Sequence, residues 1–337
     1  MTLARQFRRL LKRIIYGDTS IPQEFTIALA QPQSEVSVFL EYDSASIDVT
    51  ERHTTACCAP FTLGVSVNAA RAASVIKCSR ASLVFRERAF PRRTLGAIRL
   101  APREAISLDQ FSLILFTVLG SKNYCLPKLR LWTHFLAGAY TNWRRLASFD
   151  VKMTCAEIRA AQVAFIRPHP LMLGSVNDPA GGNIFPMNLL GELGNGYFAF
   201  ALKNSRRAAH LVERAGSIAL SNVPVALCSA AFQLAINHTR DSVDWSKLSF
   251  VLKRSGELCI PVPASSPRVR ELKVHQLNRI GSHTLFIAQI LSDDWRTDEP
   301  PVHIIHGFYQ HWRLRGDKAK LHTSVIEDAL NKRGVPA

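Results

Sequence analysis

Lys203-Asn204-Ser205-Arg206-Arg207 is a run of three cations, a hydroxyl and a carboxamide. Before it, Tyr197 to Leu202 is an apolar run of the kind found in a strand buried on both faces. After it, Ala208, Leu211, Val212 and Ala215 fall at i, i+3, i+4 and i+7, which predicts a helix with Ser205 as N-cap and Gly216 as its C′ residue. A helix starting there offers unpaired backbone N–H groups beside positive charge, which suits an anion such as a phosphate. Each exposed charge near a helix end contributes only about 0.3–1 kcal/mol, so the cluster counts as a set. The same residues could equally form a well-capped surface helix that binds nothing.

Other elements must position that turn. Asn177-Asp178-Pro179-Ala180-Gly181-Gly182 is dense in chain-reversing residues, so a strand on either side makes a hairpin. Asn183-Ile184-Phe185-Pro186-Met187-Asn188 follows, then the buried strand, the basic turn, the helix and Ser221-Asn222-Val223-Pro224. In that order these segments resemble the flavin reductase-like family of FMN-binding split β-barrels. Two later blocks agree: Gly281-Ser282-His283-Thr284-Leu285-Phe286-Ile287 is similar to the family's Gly-Asp-His-Thr-Leu-Phe strand, and Val302 to Tyr309 to its closing strand. The likeness covers residues 155–315.

The resemblance implies that Phe185, Pro186, Met187 and Asn188 run along the flavin ring and ribityl chain, and that Lys203, Asn204, Ser205, Arg206 and Arg207 hold the phosphate. It also implies a catalytic role for His283 near the flavin face. An ordinary imidazole, with a pKa of about 6.5, could there touch a nicotinamide or relay a proton; the alternative is a strand residue bonded to a backbone carbonyl. Asn188 stands where Ser or Thr is usual, Ala208 where Thr often follows, and Ser282 where an Asp precedes the histidine, so hydroxyl donors are fewer than in the family pattern. Implied with the fold are FMN or FAD as cofactor, NADH or NADPH as reductant, a homodimer that completes the flavin site across its interface, and a partner monooxygenase as one consumer of reduced flavin.

The whole chain, 337 residues with 47% hydrophobic and 20% charged, has ordinary globular composition and room for two domains. A net charge of +16 favours anionic partners, but its even spread argues against a dedicated nucleic-acid surface. Seven cysteines at irregular spacing, with Cys57 and Cys58 adjacent, fit reduced thiols and a cytoplasmic protein. Phe7, Leu10, Leu11, Ile14 and Ile15 against Arg5, Arg8, Arg9, Lys12 and Arg13 predict a basic amphipathic helix that docks on the body, lies on a membrane surface, or serves as a transit peptide. No apolar run approaches the length of a membrane span.

Residues 19–150 read as a strand-rich domain of unassigned role, with Val36, Val38, Leu40 and Tyr42 alternating and Ala81 to Phe85 and Leu95 to Leu100 as further strands. Leu108 to Leu119 and Lys128 to Tyr140 fit helix or buried strand equally. Trp132, Tyr140 and Trp143 beside Arg144 and Arg145 suit base stacking less well than an aromatic core with a charged rim. No phosphate-loop, dinucleotide or nucleophile-elbow motif occurs, and no internal repeat is visible. A helix from Asp150 to Val163 leads into the barrel-like part at 151–316, whose Pro261 to Pro267 loop could cover a flavin or cap the barrel. His303 and His306 fall on opposite faces of a strand, which argues against a metal site with His311. Residues 317–337 form a helical tail with Ser324 and Glu327 as a capping-box pair and Gly334 at its end.

The expectation is thus a mainly β protein with α elements: a C-terminal split barrel beside an unrecognised strand-rich N-terminal domain. Its first functional reading is an NAD(P)H-dependent flavin oxidoreductase. The alternative is a non-catalytic flavin- or anion-binding protein whose N-terminal half recruits a partner or acidic surface; nucleic-acid binding ranks last.

Overall fold

The computed structural model describes residues 24–145, 151–178 and 181–315. The expected N-terminal basic helix and C-terminal tail helix lie outside the described residues, as do the side chains of Tyr140, Trp143, Arg144 and Arg145.

The fold is mostly β, built from antiparallel sheets. In chain order the first half runs β1 (Glu24–Ala28), β2 (Val36–Tyr42), β3 (Ala45–Asp48), β4 (His53–Cys58), β5 (Phe61–Asn68), α1 (Ala69–Lys77), β6 (Ala81–Glu87), β7 (Thr94–Leu108), β8 (Phe111–Asn123) and α2 (Lys128–Arg145). The second continues with α3 (Cys155–Ala164), β9 (His169–Pro170), β10 (Met172–Asp178), β11 (Gly181–Met187), β12 (Leu190–Gly194), β13 (Tyr197–Lys203), α4 (Arg207–Ala215), β14 (Ser217–Asn222) and α5 (Cys228–Gln233). It ends with β15 (Leu252–Arg254), β16 (Pro261–Pro263), β17 (Arg268–Ile280), β18 (His283–Trp295), β19 (Val302–His306) and α6 (Gly307–Arg313).

Both ambiguous segments are thereby decided. Phe111 to Phe116 is buried at every position because β8 is central in its sheet and covered on both faces, so an unbroken apolar run there is a strand. Lys128 onward is helical, with Trp132 largely exposed and the Arg159 guanidinium 5.8 Å from its ring centroid. The helix expected from Asp150 is α3, whose N-terminus is fixed by a full capping box between Thr154 and Glu157.

Two seven-stranded sheets organise the chain, in the orders β3-β2-β6-β7-β8-β5-β4 and β11-β10-β14-β17-β18-β13-β12. Paired one to one in chain order, these are the same topology: hairpin, hairpin, helix, strand, long hairpin. The registers match as well. His53 pairs with Val65 as Leu190 pairs with Phe200, and Asn68 faces Phe111 as Lys203 faces His283. Even the bulges coincide: Thr55/Cys57 answers Glu192/Gly194, while Arg99/Leu100 and Pro102/Glu104 lie as far before Leu108 as Glu271/Leu272 and Val274/Gln276 lie before Ile280. A bulge bends a strand and raises its twist, so matched bulges mean matched curvature. The strand-rich N-terminal part therefore repeats the seven-stranded sheet of the second half, and the chain contains an internal repeat of topology that its sequence does not display.

The copies meet along a shared apolar layer in which Cys57, Leu113 and Leu115 of the first pack with Tyr197, Leu285 and Ile287 of the second. The contacts are reciprocal. The β17–β18 turn bonds the β4–β5 turn through Ser282 N–H to the Ala59 carbonyl at 2.8 Å, and the β7–β8 turn bonds the start of β13 through Tyr197 Oη to Asp109 Oδ2 at 2.9 Å. Further ties cross the molecule. β1 pairs with β19, α3 packs into the first copy's core, and the Arg313 guanidinium donates to both Glu35 carboxylate oxygens while Tyr309 Oη donates to one.

Backbone approach at the seam requires glycine in two places. A Cβ at Gly191 would stand 2.4 Å from the His53 carbonyl oxygen, and one at Gly281, whose φ is +51°, 2.2 Å from that of Ala59. Gly281→Ala should therefore destabilise the protein by roughly 2–4 kcal/mol, combining left-handed strain with a backbone clash. Urea unfolding measures it; a loss below about 0.5 kcal/mol would mean the two turns are not packed together.

Candidate functional site

Lys203 ends β13 and His283 begins β18, and antiparallel pairing sets them side by side. The end of β11 brings Pro186 and Met187 to the same corner. Together with Asn188, Arg206 and the segment Leu234–Thr239 they enclose a cleft of about 500 Å³, within the range of small-molecule sites. Met187 thus stands at an open cleft, not a closed corner.

The segment over the cleft belongs to the connection between β14 and β17, which in the first copy is only the short link between β6 and β7. It is clasped to β11: Asn183 Nδ2 donates to the carbonyls of Asn237 (3.0 Å) and Arg240 (2.8 Å), and Asn237 Nδ2 donates to that of Ile184 at 2.9 Å. His238 Nε2 donates to the Pro186 carbonyl at 2.7 Å, and its ring packs 4.9 Å from that of Phe185. Burial, with Arg206 and Lys203 nearby, lowers the His238 pKa despite that bond, so the ring is a neutral wall. Ile236, His238 and Thr239 line the cleft and were not anticipated, because in sequence this stretch reads as a polar break. The Pro261 to Pro267 loop lies elsewhere, with Val262 packed against Ala219 and Val269.

The expected site residues divide by position. Pro186, Met187, Asn188, Lys203, Arg206 and His283 line the cleft. Phe185 is fully buried beneath His238, so only its backbone can face a ligand. Asn204 is committed to the fold: its Nδ2 donates to the Gly281 carbonyl at 2.9 Å and its Oδ1 accepts from Thr284 Oγ1 at 2.7 Å, fastening the basic turn to the β17–β18 turn. Ser205 is exposed and is not the N-cap. Arg206 holds that position with no side-chain bond to the first turn, because α4 starts one residue later than its apolar spacing suggested. Arg207 points to Asp241 at 3.6 Å.

The consequence is an uncapped helix start beside Lys203, which has no ion pair among the described residues. Its counterpart differs in each respect. In the first copy Asn68 replaces Lys203 and caps α1 by accepting from Ala70 N–H at 3.0 Å, Phe111 replaces His283, and Asp48 faces the equivalent cleft together with Arg52 and Arg71. The uncapped helix start and the histidine are thus found at one corner of two.

His283 is held from across the seam. Cys58 N–H donates to His283 Nδ1 at 3.5 Å, which makes that nitrogen the acceptor, so Ser282 Oγ, 2.8 Å from it and accepting from Ala59 N–H at 3.1 Å, donates to it as well and the imidazole proton is left on Nε2. Burial and the Lys203 charge push its pKa down to about 4, so the ring is a neutral Nε2–H donor near pH 7. The Cys58 thiol beside it is pushed up to about 12 by burial and is no nucleophile at neutral pH. The other histidines once weighed as ligands are structural: His303 Nδ1 donates to the Pro301 carbonyl, and His306 caps α6. Among the described residues no cluster of three metal-ligating side chains occurs, and no helix is long and apolar enough to cross a membrane.

Neither a protein-family model nor a curated protein sequence matches the chain. Solved structures of flavin reductase and FMN-binding split-barrel proteins do, over about 40% of it. The FMN-binding protein of Thermus thermophilus with bound p-hydroxybenzaldehyde is 18% identical over 38% of this chain and 73% of its own, with a TM-score of 0.35. The NADH:FAD oxidoreductase of Streptomyces globisporus is 15% identical over 45% and 89%, at 0.39. The flavin reductase component of a bacterial two-component tryptophan halogenase is 10% identical over 44% and 92%, at 0.38.

The electrostatics of the corner can be tested on the free protein. A histidine whose folded pKa lies below its unfolded value adds stability above about pH 6.5, and that contribution is lost as pH falls toward 4. Lys203→Met removes the nearby positive charge and should raise the His283 pKa from about 4, read from its imidazole C–H resonances during an NMR pH titration. An unchanged midpoint would show that burial alone sets it.

Proposed function

We propose that this cleft holds a flavin mononucleotide and that the chain is a flavin-dependent oxidoreductase using NADH or NADPH as reductant. The observation carrying the reading is the uncapped first turn of α4 beside an unpaired Lys203, at the mouth of a cleft large enough for a ring system. Lys203, Arg206 and the first-turn N–H groups would hold the phosphate, since a helix start without its own cap has donors to spare. Pro186, Met187 and Asn188 would run along the ring through backbone groups and side chains, with Ile236 and His238 excluding water from the opposite side. The bound flavin supplies the two-electron hydride chemistry. His283, neutral and protonated on Nε2, can donate a hydrogen bond to a neutral nicotinamide or flavin group without adding charge. Its low pKa makes it a positioning donor rather than a proton store at pH 7.

The purified full chain should be yellow, and adding NADH or NADPH anaerobically should bleach its absorbance. Yellow protein inert to both nucleotides would favour flavin or anion binding without turnover. Lys203→Met with Arg206→Met should weaken FMN affinity about 10- to 100-fold, as expected from losing charge-assisted bonds of about 1.5–3 kcal/mol. Riboflavin, which lacks the phosphate, should lose little; equal losses for both would refute the phosphate assignment.

The first copy supplies within one chain the face that the family resembled obtains from a second subunit. We propose that the seam takes the place of the expected homodimer interface. Sedimentation should then give a species near 37.5 kDa binding one flavin per chain. A species of twice that mass that loses flavin on dilution would restore the homodimer.

A further inference from the structure

A second cleft, of about 270 Å³, opens on the seam itself and shares no lining residue with the first. The starts of β4, β10, β12 and β17 converge on it, so residues of both copies face one another there. Among the described residues two of its three cations are in ion pairs, whereas Arg167 and the carboxylate Glu51 on its wall are in none. Arg270 donates to Glu192 and Asp293, and Arg268 is bound to Asp293. Arg167, between α3 and β9, is only 9% exposed and has no hydrogen bond or ion pair among the described residues; its Nε is buried without a partner. Glu51 and Glu192 influence it from beyond ion-pair distance, and burial lowers its pKa only to about 10, so it stays charged. A buried cation without a counter-ion is costly, and the structure gives it an opening to solvent.

Two acceptors stand with it. His53 Nδ1 donates to the Val49 carbonyl at 2.7 Å, which leaves Nε2 as a lone-pair acceptor, and that atom is buried and unpartnered. Burial and the Arg167 charge keep this ring neutral. Asn222 Oδ1 is likewise buried without a donor. Trp295 stands at the rim, 62% exposed, with the Arg268 guanidinium 4.0 Å from its ring centroid. Arg167 with two unpaired acceptors calls for a ligand that brings an anion and a donor together, seated on the Arg167 side of the cleft and away from the Glu51 carboxylate, which also lines it.

We propose that the seam cleft binds a small carboxylate carrying its own hydrogen-bond donor, such as an α-hydroxy acid, with the carboxylate on Arg167 and the hydroxyl shared by His53 Nε2 and Asn222 Oδ1. The site is independent of flavin: it uses residues of both copies and none of the first cleft. The occupant would lock the two barrels together, since it binds only the assembled seam.

Sodium glycolate, acetate, phosphate and chloride titrated into the full chain at pH 7.5 and constant ionic strength test the proposal. Thermal midpoint and tryptophan fluorescence are the readouts. Glycolate should raise the midpoint saturably and alter the fluorescence, acetate should bind at least threefold more weakly for want of the hydroxyl, and chloride should do neither. Arg167→Met should weaken glycolate at least tenfold. Should that variant fail to fold, Asn222→Ala serves instead and should reduce glycolate to the acetate level. Trp295→Phe should remove the fluorescence change and keep the midpoint shift. Lys203→Met should leave glycolate binding intact; its loss there would place the probe in the first cleft and overturn the proposal. A response to phosphate alone, or no response beyond chloride, would overturn it as well.

Discussion

The contact between the β17–β18 turn and the β4–β5 turn governs the rest of the site. Ala59 binds Ser282 twice, through its carbonyl to the backbone N–H and through its own N–H to the hydroxyl. The neighbouring Cys58 N–H, donated to His283 Nδ1, sets which nitrogen of that ring carries the proton, and the adjoining Gly281 carbonyl anchors Asn204 and with it the basic turn. A residue of the first barrel therefore fixes the tautomer of a histidine in the second. Glycine at 281 is what allows the two backbones to approach so closely.

Two copies of one topology have diverged at the corner where chemistry is possible. One retains a cation, an uncapped helix and a neutral histidine under a long covering segment. The other places Asn68 and Phe111 at the same register and closes its helix with a side chain. Such exchanges at one register leave the hydrogen-bond ladder undisturbed, because ladder bonds come from the backbone and tolerate almost any side chain.

Burial accounts for much of the electrostatic character. His53, His169, His283, His303 and His306 all lie in places where desolvation holds them neutral, and His283 and His303 titrate at about 4. Against this neutral interior the few charges left inside are conspicuous. Glu35 and Arg313 neutralise one another, as do Arg270 and its carboxylates, whereas Lys203 and Arg167 each face a cleft with no ion-pair partner among the described residues.

The sequence by itself determined strands such as β2, β6 and β13, though not β8, together with the helix after the basic turn and the presence there of cations and a histidine. These follow from local rules: alternation along Val36 to Tyr42, the apolar run of β13, the spacing of Ala208 to Ala215. It misplaced the cap of α4 by one residue, since Ser205 and Arg206 are both compatible with that spacing and only the path of the turn from Lys203 to Arg206 chooses between them. The repeat, the seam, the covering residues Ile236 to Thr239 and the unpaired state of Arg167 were decided by tertiary structure alone. A sheet fixes register and curvature through backbone bonds that leave residue identity free, so two copies can share three bulges at matching positions, all but the Phe85/Arg86 bulge of the first, while sharing no recognisable sequence. Whether a charge finds a partner depends on which distant strands the fold brings beside it, and no local spacing carries that information.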